Sequence, residues 1–173
     1  VSAFLLTRSS DLEILSQHHH TRPTLHIRLP HQHTDSKLDV TSSEFTGNSA
    51  NGVTAGDGGG AIYSRGETDV TDSTFTQNSA AKGGALYLAG NSSRSRISKV
   101  LFEKNIAVFN GGAIDSNAAY VNLTHTRFIS NVANYGAALC REANATGGFG
   151  DNNTFISNHA RIGGAALGWM GDL

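Results

Sequence analysis

The chain has 173 residues and a formal net charge of −1, and a near-neutral chain without a basic cluster excludes nucleic acid as a partner. Apolar residues make up 38% of the sequence, which excludes a disordered chain, and the single cysteine excludes an intrachain disulfide. No run of 18 apolar residues predicts a membrane-spanning helix, whereas 20 glycines among many Ser, Thr and Asn residues favour short strands and turns in one domain.

The first 37 residues do not carry the repeat that fills the rest of the chain, and they hold six of the eight histidines. The run from His18 to His20 has the residue type of a transition-metal site, but no set of carboxylates or cysteines supports it, so no metal site is predicted. The alternation in residues 25–29 predicts a degenerate capping strand. We therefore expect a non-repeat segment at 1–37, either disordered or a degenerate cap, and a repeat domain at 38–173.

A motif of the form Phe-x-x-Asn-x-Ala occurs five times in the repeat domain, with successive Phe residues 30, 27, 26 and 27 positions apart. A small-residue triplet and an aliphatic residue usually follow each copy, as at residues 83–86, Gly-Gly-Ala-Leu. Five copies of two linked motifs indicate a solenoid. Leucine does not dominate the repeat and no segment has a sustained 3.6-residue apolar period, which argues against leucine-rich and helical repeats.

We therefore predict an all-β fold, a right-handed parallel β-helix of about five coils with one coil for each repeat of roughly 27 residues. Three short strands and three bends fit that length. The chain ends part-way through the fifth coil, so we expect the repeat domain to be truncated at its C-terminus.

Equivalent residues of successive coils would lie about 4.8 Å apart, so each motif position becomes a row. The phenylalanines are expected to stack as an internal column, and the asparagines to form an amide ladder in which each amide donates to the next coil. An aliphatic residue precedes each Phe by five positions, except in the fifth copy, where Gly150 stands. That odd spacing predicts a kink, because a straight strand would place the two side chains on opposite faces. The ladder residues are Phe45, Phe75, Phe102, Phe128, Phe155, Asn48, Asn78, Asn105, Asn131 and Asn158; the aliphatic residues are Val40, Val70, Ile97 and Leu123; the kink residues are Ser42, Asp72, Lys99, His125 and Asn152.

The Gly-Gly-Ala-aliphatic and Phe-x-x-Asn motifs resemble the repeat of the chlamydial polymorphic outer-membrane proteins. The resemblance covers roughly residues 38–173. It implies a surface-exposed passenger domain used in adhesion, located outside the cell or at the cell surface, and at the outer membrane if the source is bacterial. In that family a membrane barrel follows the passenger, so membrane contact would involve a region absent from this chain.

A polysaccharide lyase or glycoside hydrolase on this fold would need carboxylates that converge across neighbouring coils. Asp39 and Asp69 share one row, but Arg96 and Asn122 continue it. Another row holds Asp115 between aromatic residues and a cysteine. No catalytic residue, cofactor or metal ligand is predicted, and we expect a protein that is not an enzyme.

Asp115 and Arg141 lie diagonally across two coils, where we expect a surface ion pair. Cys140 shares the row of Asp115, and we expect a neutral thiol there because no family pattern joins it to His125 or His159. Neither histidine has the other as a partner in the coil register.

Hydroxyl residues recur in pairs on successive coils, as in Thr41-x-Ser43 and Thr71-x-Ser73. A flat array of this kind would suit ice binding, but the predicted kink turns the second residue of each pair inward. Four sequons, which matter only in a chain secreted from a eukaryotic cell, are candidate N-glycosylation sites. They begin at Asn91, Asn122, Asn144 and Asn152.

The expected function is therefore an extracellular structural or adhesion module without catalysis. Its partner would be a host-cell or matrix protein or a glycan, bound through surface loops at 51–58, 89–96 and 142–150, where the repeats differ in length. Two alternatives stay open, a fragment of a β-helix carbohydrate-active enzyme and an ice-binding solenoid.

Overall fold

The structure, a computed structural model, describes residues 4–7, 13–19, 22–29, 37–50, 58–89, 94–117, 120–142 and 145–170. In these ranges the regular elements are twenty-one β-strands. They are β1 (Phe4–Thr7), β2 (Glu13–His19), β3 (Arg22–Leu29), β4 (Lys37–Thr41), β5 (Glu44–Thr46), β6 (Ile62–Ser64), β7 (Glu67–Thr71), β8 (Thr74–Thr76), β9 (Ser79–Lys82), β10 (Leu86–Leu88), β11 (Arg94–Ser98), β12 (Leu101–Glu103), β13 (Ile106–Asn110), β14 (Ile114–Ser116), β15 (Tyr120–Thr124), β16 (Arg127–Ile129), β17 (Val132–Tyr135), β18 (Leu139–Glu142), β19 (Thr154–Ile156), β20 (His159–Gly163) and β21 (Leu167–Met170).

The strands form four sheets. Sheet A contains β1, β4, β7, β11 and β15; sheet B contains β2, β3, β6, β10, β14, β18 and β21; sheet C contains β5, β8, β12, β16 and β19; sheet D contains β9, β13, β17 and β20. From β4 onward, paired strands are parallel and come from successive turns of the chain. The fold is a parallel β-solenoid, which confirms the predicted class, with four full turns between Phe45 and Phe155. The right-handed sense of the coil stays a prediction.

Each turn, here called a coil, is numbered by its phenylalanine, from coil 1 with Phe45 to coil 5 with Phe155. A complete coil passes through sheets A, C, D and B, as β7, β8, β9 and β10 do in coil 2. The prediction of three strands per coil is therefore wrong. The repeat motifs do not predict the fourth strand because its sequence varies from coil to coil, from Ser-Ala-Ala-Lys in β9 to Ile-Ala-Val-Phe-Asn in β13.

The bend between sheets A and C confirms the predicted kink. All five kink residues adopt the left-handed backbone conformation, with φ between 47° and 60°. The residue before each ladder asparagine is also left-handed, which the sequence pattern did not predict. These two bends turn the chain into and out of sheet C in every coil, and the residues of the second bend are Gly47, Gln77, Lys104, Ser130 and Ser157.

The core is a set of identical rows along the solenoid axis. Neighbouring phenylalanine rings stack with centroids 4.7–5.1 Å apart and interplanar angles of 3–16°. The rings of coils 1–4 are fully buried, and Phe155 of coil 5 is half-buried. Two aliphatic rows pack beside this column, Val40, Val70, Ile97 and Leu123 from sheet A and Ile62, Leu86, Ile114 and Leu139 from sheet B.

Coil 5 departs from the predicted register in sheet A. Leu123 pairs with Phe149 rather than with Gly150, and His125 donates a backbone hydrogen bond to Asp151. One extra residue between Phe149 and Asn152 therefore forms a bulge, after which the bend at Asn152 restores the repeat.

Three N-terminal strands lie beside coil 1. Strand β1 pairs antiparallel with β4, and β3 pairs parallel with β6 and antiparallel with β2. The edges of sheets A and B are thereby covered at coil 1, which removes two unpaired strand edges. The division of the chain at residue 37 stays a prediction.

Candidate functional site

The amide ladder lies at the bend between sheets C and D. The side-chain oxygen of Asn105 accepts hydrogen bonds from the backbone N–H and the Nδ2 of Asn78, both at 3.0 Å. Its own Nδ2 donates to the carbonyl oxygen of Phe75 and to Asn131, each at 3.0 Å. The same pattern joins Asn48 at one end to Asn158 at the other. The ladder holds neighbouring coils together and satisfies the buried bend, so it is structural rather than a ligand site.

The Gly-Gly pair lies at the bend between sheets D and B, and each of the two positions requires glycine for a different reason. Gly111 has a φ of 63°, and an added Cβ would lie 2.2 Å from the carbonyl oxygen of Ile114. Gly112 has an ordinary φ, but its Cβ would lie 2.4 Å from the carbonyl oxygen of Ala137 in the next coil. The first glycine is needed for the turn and the second for close approach between coils.

Asp115 is the most unusual polar residue of the outer rows. It pairs with Tyr87 and Cys140 in sheet B, as the register predicts, but it is fully buried and neither carboxyl oxygen accepts a hydrogen bond of standard geometry. The ammonium of Lys82 in coil 2 contacts the carboxylate of Glu142 in coil 4, so this ion pair spans the coil that carries Asp115.

Burial dominates the acid–base behaviour of this row. It raises the pKa of Asp115 to about 8, and the negative charge of Glu142 adds to the shift while Lys82 opposes it. The backbone N–H of Ser116 also lowers this pKa, as the smallest of the contributions to its shift. Burial, followed by the charge of Asp115, raises the pKa of Cys140 to about 12. The cysteine is therefore a neutral thiol at physiological pH and lacks the thiolate that a nucleophile needs.

The predicted surface ion pair between Asp115 and Arg141 is wrong. Successive residues of a strand point to opposite faces, so Arg141 points away from the face of Cys140. Its Nη1 donates to the carbonyl oxygen of Gly147 at 3.3 Å, and its guanidinium lies 5.0 Å from the ring centroid of Phe149. Its Nε and Nη2 are buried without a partner, and burial lowers the pKa of Arg141.

The outer face of sheet A carries exposed ion pairs that link successive coils. Asp69 contacts Lys37 at 3.0 Å and Arg96 at 3.1 Å, and Arg96 also contacts Glu67 at 2.9 Å. The row of Asp39, Asp69, Arg96 and Asn122 follows the predicted register. Because Asp39, Glu67 and Asp69 are each paired with Lys37 or Arg96, the face does not gather the converging carboxylates of a hydrolase.

The outer face of sheet D holds the residues that sequence reasoning missed. Ile106, Val108 and Phe109 of β13 and Ile162 of β20 are all exposed, by 38–63%. A signal exists in the sequence, since the apolar run at residues 106–109 contrasts with Ser-Ala-Ala-Lys at 79–82. It does not stand out from the repeat pattern because that pattern does not predict sheet D.

The model of the Chlamydia polymorphic membrane protein repeat matches residues 42–65 and 72–89. The matched segments hold the phenylalanine, asparagine and glycine positions whose geometry defines coils 1 and 2. Coils 1 and 2 are therefore similar to polymorphic membrane protein repeats. The resemblance stated from the sequence is thereby confirmed, and it indicates a location at the outer membrane or cell surface. No curated protein and no solved structure gives a significant match to the chain.

The paired hydroxyl positions of successive coils form one outer row and one inner row. Thr41 and Thr71 share a hydrogen bond of 3.2 Å, and Thr124 donates to Ser98 at 3.0 Å. The second residue of each pair is buried, as the kink predicts; these residues are Ser43, Ser73, Val100 and Thr126. A single outer row is not the two-row array that an ice-binding face needs.

A small pocket lies between coils 4 and 5 of the repeat domain, with a volume of about 110 Å³. Its walls are mostly apolar, and Arg141 contributes to them; the other lining residues are Leu139, Phe149, Leu167 and Gly168. The pocket results from the bulge in coil 5. The buried Nε and Nη2 of Arg141 are closed to solvent, so the pocket offers a ligand little polar recognition.

The remaining candidate positions are dispersed. Asn122 is half-buried beside Gly148, whereas Asn152 is exposed and its Nδ2 lies 3.1 Å from Nε2 of His125. Asn91 and Asn144 lie outside the described residues, as do most of the predicted loop at 51–58 and part of the loop at 142–150. Strand β11 begins at Arg94, so the predicted loop at 89–96 is shorter than expected.

The described residues contain no group of three or more His, Cys, Asp or Glu side chains with the geometry to hold a metal ion. Within the same ranges there is no helix long and apolar enough to cross a bilayer.

Proposed function

We propose that the chain is a non-catalytic adhesion module of a surface-exposed outer-membrane protein. The observation that carries the proposal is the match of coils 1 and 2 to the polymorphic membrane protein repeat. A solenoid suits this role because identical coils build an extended, rigid surface from short repeats.

The distribution of carboxylates supports a role without catalysis. The acids of sheet A are engaged in ion pairs between coils, and Asp115 is buried beneath the Lys82–Glu142 pair. A glycosidase needs an acid and a second carboxylate that both reach the substrate. The accessible carboxylates on the outer face of sheet A contact Lys37 or Arg96, so they do not form a free pair that converges on a substrate.

We place the binding site at the corner between sheets B and A, where connections of different length meet. Two residues join β6 to β7, whereas five join β10 to β11 and three join β14 to β15. Loops of variable length on a regular scaffold are common binding sites. The partner class is a host-cell or matrix protein or a glycan.

Binding of beads coated with the purified chain to cultured epithelial cells tests this proposal. Shortening the connection 89–93 by deletion of residues 91–93 is expected to reduce binding by at least about tenfold, the effect of losing a central contact. The comparison is deletion of residues 55–57, an equal length in the predicted loop at 51–58, which precedes β6 and is not one of the connections between sheets B and A. If the site lies at that corner, this variant should bind like the wild-type chain. Protease or glycosidase treatment of the cells then separates a protein partner from a glycan.

Equal binding by the wild-type chain and both deletion variants would contradict the placement of the site. Binding no greater than that of uncoated beads, with the chain folded, would contradict adhesion itself.

A further inference from the structure

The outer face of sheet D is the main exposed apolar surface of the described coils. The described residues include seven exposed large hydrophobic side chains, and four of these lie on two strands of this sheet. Ile106 and Val108 are each about half exposed, and Ile162 is 63% exposed. Val132 of the intervening coil is half-buried and pairs with Ile106, so this apolar row extends from coil 3 to coil 4, and in coil 5 the exposed His159 continues it.

Two bulges create this surface. Strands β13 and β20 have five residues, whereas β9 and β17 have four, and the pairing registers shift next to Ala107 and Ala133. The extra residue pushes Val108 and Phe109 outward in coil 3 and Ile162 outward in coil 5. Contiguous exposed apolar residues on a folded chain mark an interaction site more often than isolated ones do.

The charges on this face have one sign. The strands of sheet D contain Lys82 and Arg161 but no Asp or Glu. Lys104 lies on the bend that leads into β13, with a side chain 58% exposed. Lys82 and Lys104 contact acids of other sheets, Glu142 and Glu103, whereas Arg161 is exposed and has no ion pair among the described residues.

We propose that the outer face of sheet D docks on an anionic lipid bilayer. Aliphatic and phenylalanine side chains beside cationic residues are the combination with which peripheral proteins enter the headgroup region. A sheet face that spans three coils is flat enough to lie on a planar surface. The proposal goes beyond adhesion through loops, since it concerns a different face and needs neither a protein nor a glycan.

The rim of this face also suits a bilayer surface. Tyr135 at the rim is half-buried and has a polar tip suited to the boundary between headgroups and acyl chains.

Co-sedimentation of the purified chain with vesicles provides the test. One set of vesicles is phosphatidylcholine alone and the other contains equal parts phosphatidylcholine and phosphatidylglycerol. The wild-type chain is expected to bind the anionic vesicles, and to bind them less as salt rises. The double variant Ile106→Ser/Phe109→Ser should bind at least about tenfold more weakly.

Two further variants separate apolar from electrostatic contributions and provide the control. Arg161→Gln should weaken binding to anionic vesicles about fivefold and leave any binding to neutral vesicles unchanged. Ile156→Ser is the matched control, because Ile156 is 43% exposed but lies on sheet C, and it should bind like the wild-type chain. Unchanged circular dichroism and urea midpoints confirm that the variants are folded.

Absence of vesicle binding by the wild-type chain would overturn the proposal, as would binding that Ile106→Ser/Phe109→Ser leaves intact. Concentration-dependent dimers that this double variant abolishes, without vesicle binding, would assign the face to a second copy instead. These vesicles carry no protein or glycan, so failure here leaves adhesion through the loops unaffected, and failure of cell binding leaves this result unaffected.

Discussion

Sheets C and D are consecutive in coils 2 to 5, yet one is uniform and the other is not. The middle residue of each sheet C strand is phenylalanine in all five coils, and each strand has three residues. The first residue of sheet D is Ser79, Ile106, Val132 or His159 in successive coils, and its strands have four or five residues.

The difference lies in what surrounds the two sets of side chains. An inward residue of one coil stacks on its equivalent about 4.8 Å away, so a change in size in one coil disturbs two neighbours. An outward residue faces solvent on one side and tolerates change. The uniform rows therefore specify the solenoid, and the non-uniform outer rows are where its function can differ from that of other solenoids.

The largest expected effect on stability comes from a comparison of two phenylalanines in coil 3. Phe102→Ala removes a fully buried ring between two stacked neighbours and should lower the free energy of unfolding by about 3–5 kcal/mol. Phe109→Ala removes an exposed ring from sheet D and should change it by no more than about 0.5 kcal/mol. Urea denaturation followed by circular dichroism measures both. Equal losses for the two variants would refute the distinction between inner and outer rows.

The amide ladder gives the second test. Asn105→Ala removes the acceptor of the Asn78 backbone N–H and the donor to the Phe75 carbonyl, all buried. Leaving such groups unpaired should cost about 3 kcal/mol. Asn134→Ala, a half-exposed position in sheet D, should cost less than about 0.5 kcal/mol in the same urea experiment. A loss below about 1 kcal/mol at Asn105 would show that water replaces the ladder.

Sequence reasoning was strongest where the rows are uniform. In a solenoid, residues that recur at the same position of each repeat lie in register. The recurring Phe and Asn residues therefore predict their own rows, and the phenylalanine rings stack about 5 Å apart. The kink at Asp72 and its equivalents could be derived because an odd spacing between two inward residues requires it.

Position in the repeat alone does not predict which side chains of an outer row are buried. An outer row predicts a surface position for Asp115, but Asp115 is buried because the Lys82–Glu142 pair from the two neighbouring coils spans it. Such covering depends on side chains of three coils and on the angle between sheets D and B. The repeat period predicts neither these side chains nor this angle. The residues of β9 are also too small and polar to indicate a strand.

The third prediction concerns Asp115 and pH. Its pKa is about 8 in the folded chain and 3.8 for the unperturbed group, so between these values the folded state holds a proton that the unfolded state has lost. The part of the free energy of unfolding that depends on Asp115 is highest below about pH 4. It falls by about 1.4 kcal/mol per pH unit as pH rises towards 8. Between pH 6 and 7, the free energy of unfolding of Asp115→Asn should therefore fall by about that much less than the free energy of the wild-type chain does. Urea midpoints at both pH values measure it, with exposed Asp72→Asn as the control; identical slopes for wild type and Asp115→Asn would contradict the burial of an acid there.

The smallest expected effect lies at the bend that leads into sheet C. Lys99 has a φ of 54°, a conformation that costs most L-residues about 1 kcal/mol and costs asparagine less. The coil, rather than the residue, sets this backbone, because the equivalent Asn152 has a φ of 60°. Lys99→Asn should therefore stabilise the chain by about 0.5 kcal/mol, since its side chain is 65% exposed and its 3.9 Å contact with Asp72 contributes little. Arg127→Asn, in strand β16, is the control and should be neutral or destabilising in the same urea titration. A loss of stability for Lys99→Asn would mean that the side chain at this bend matters more than its backbone conformation.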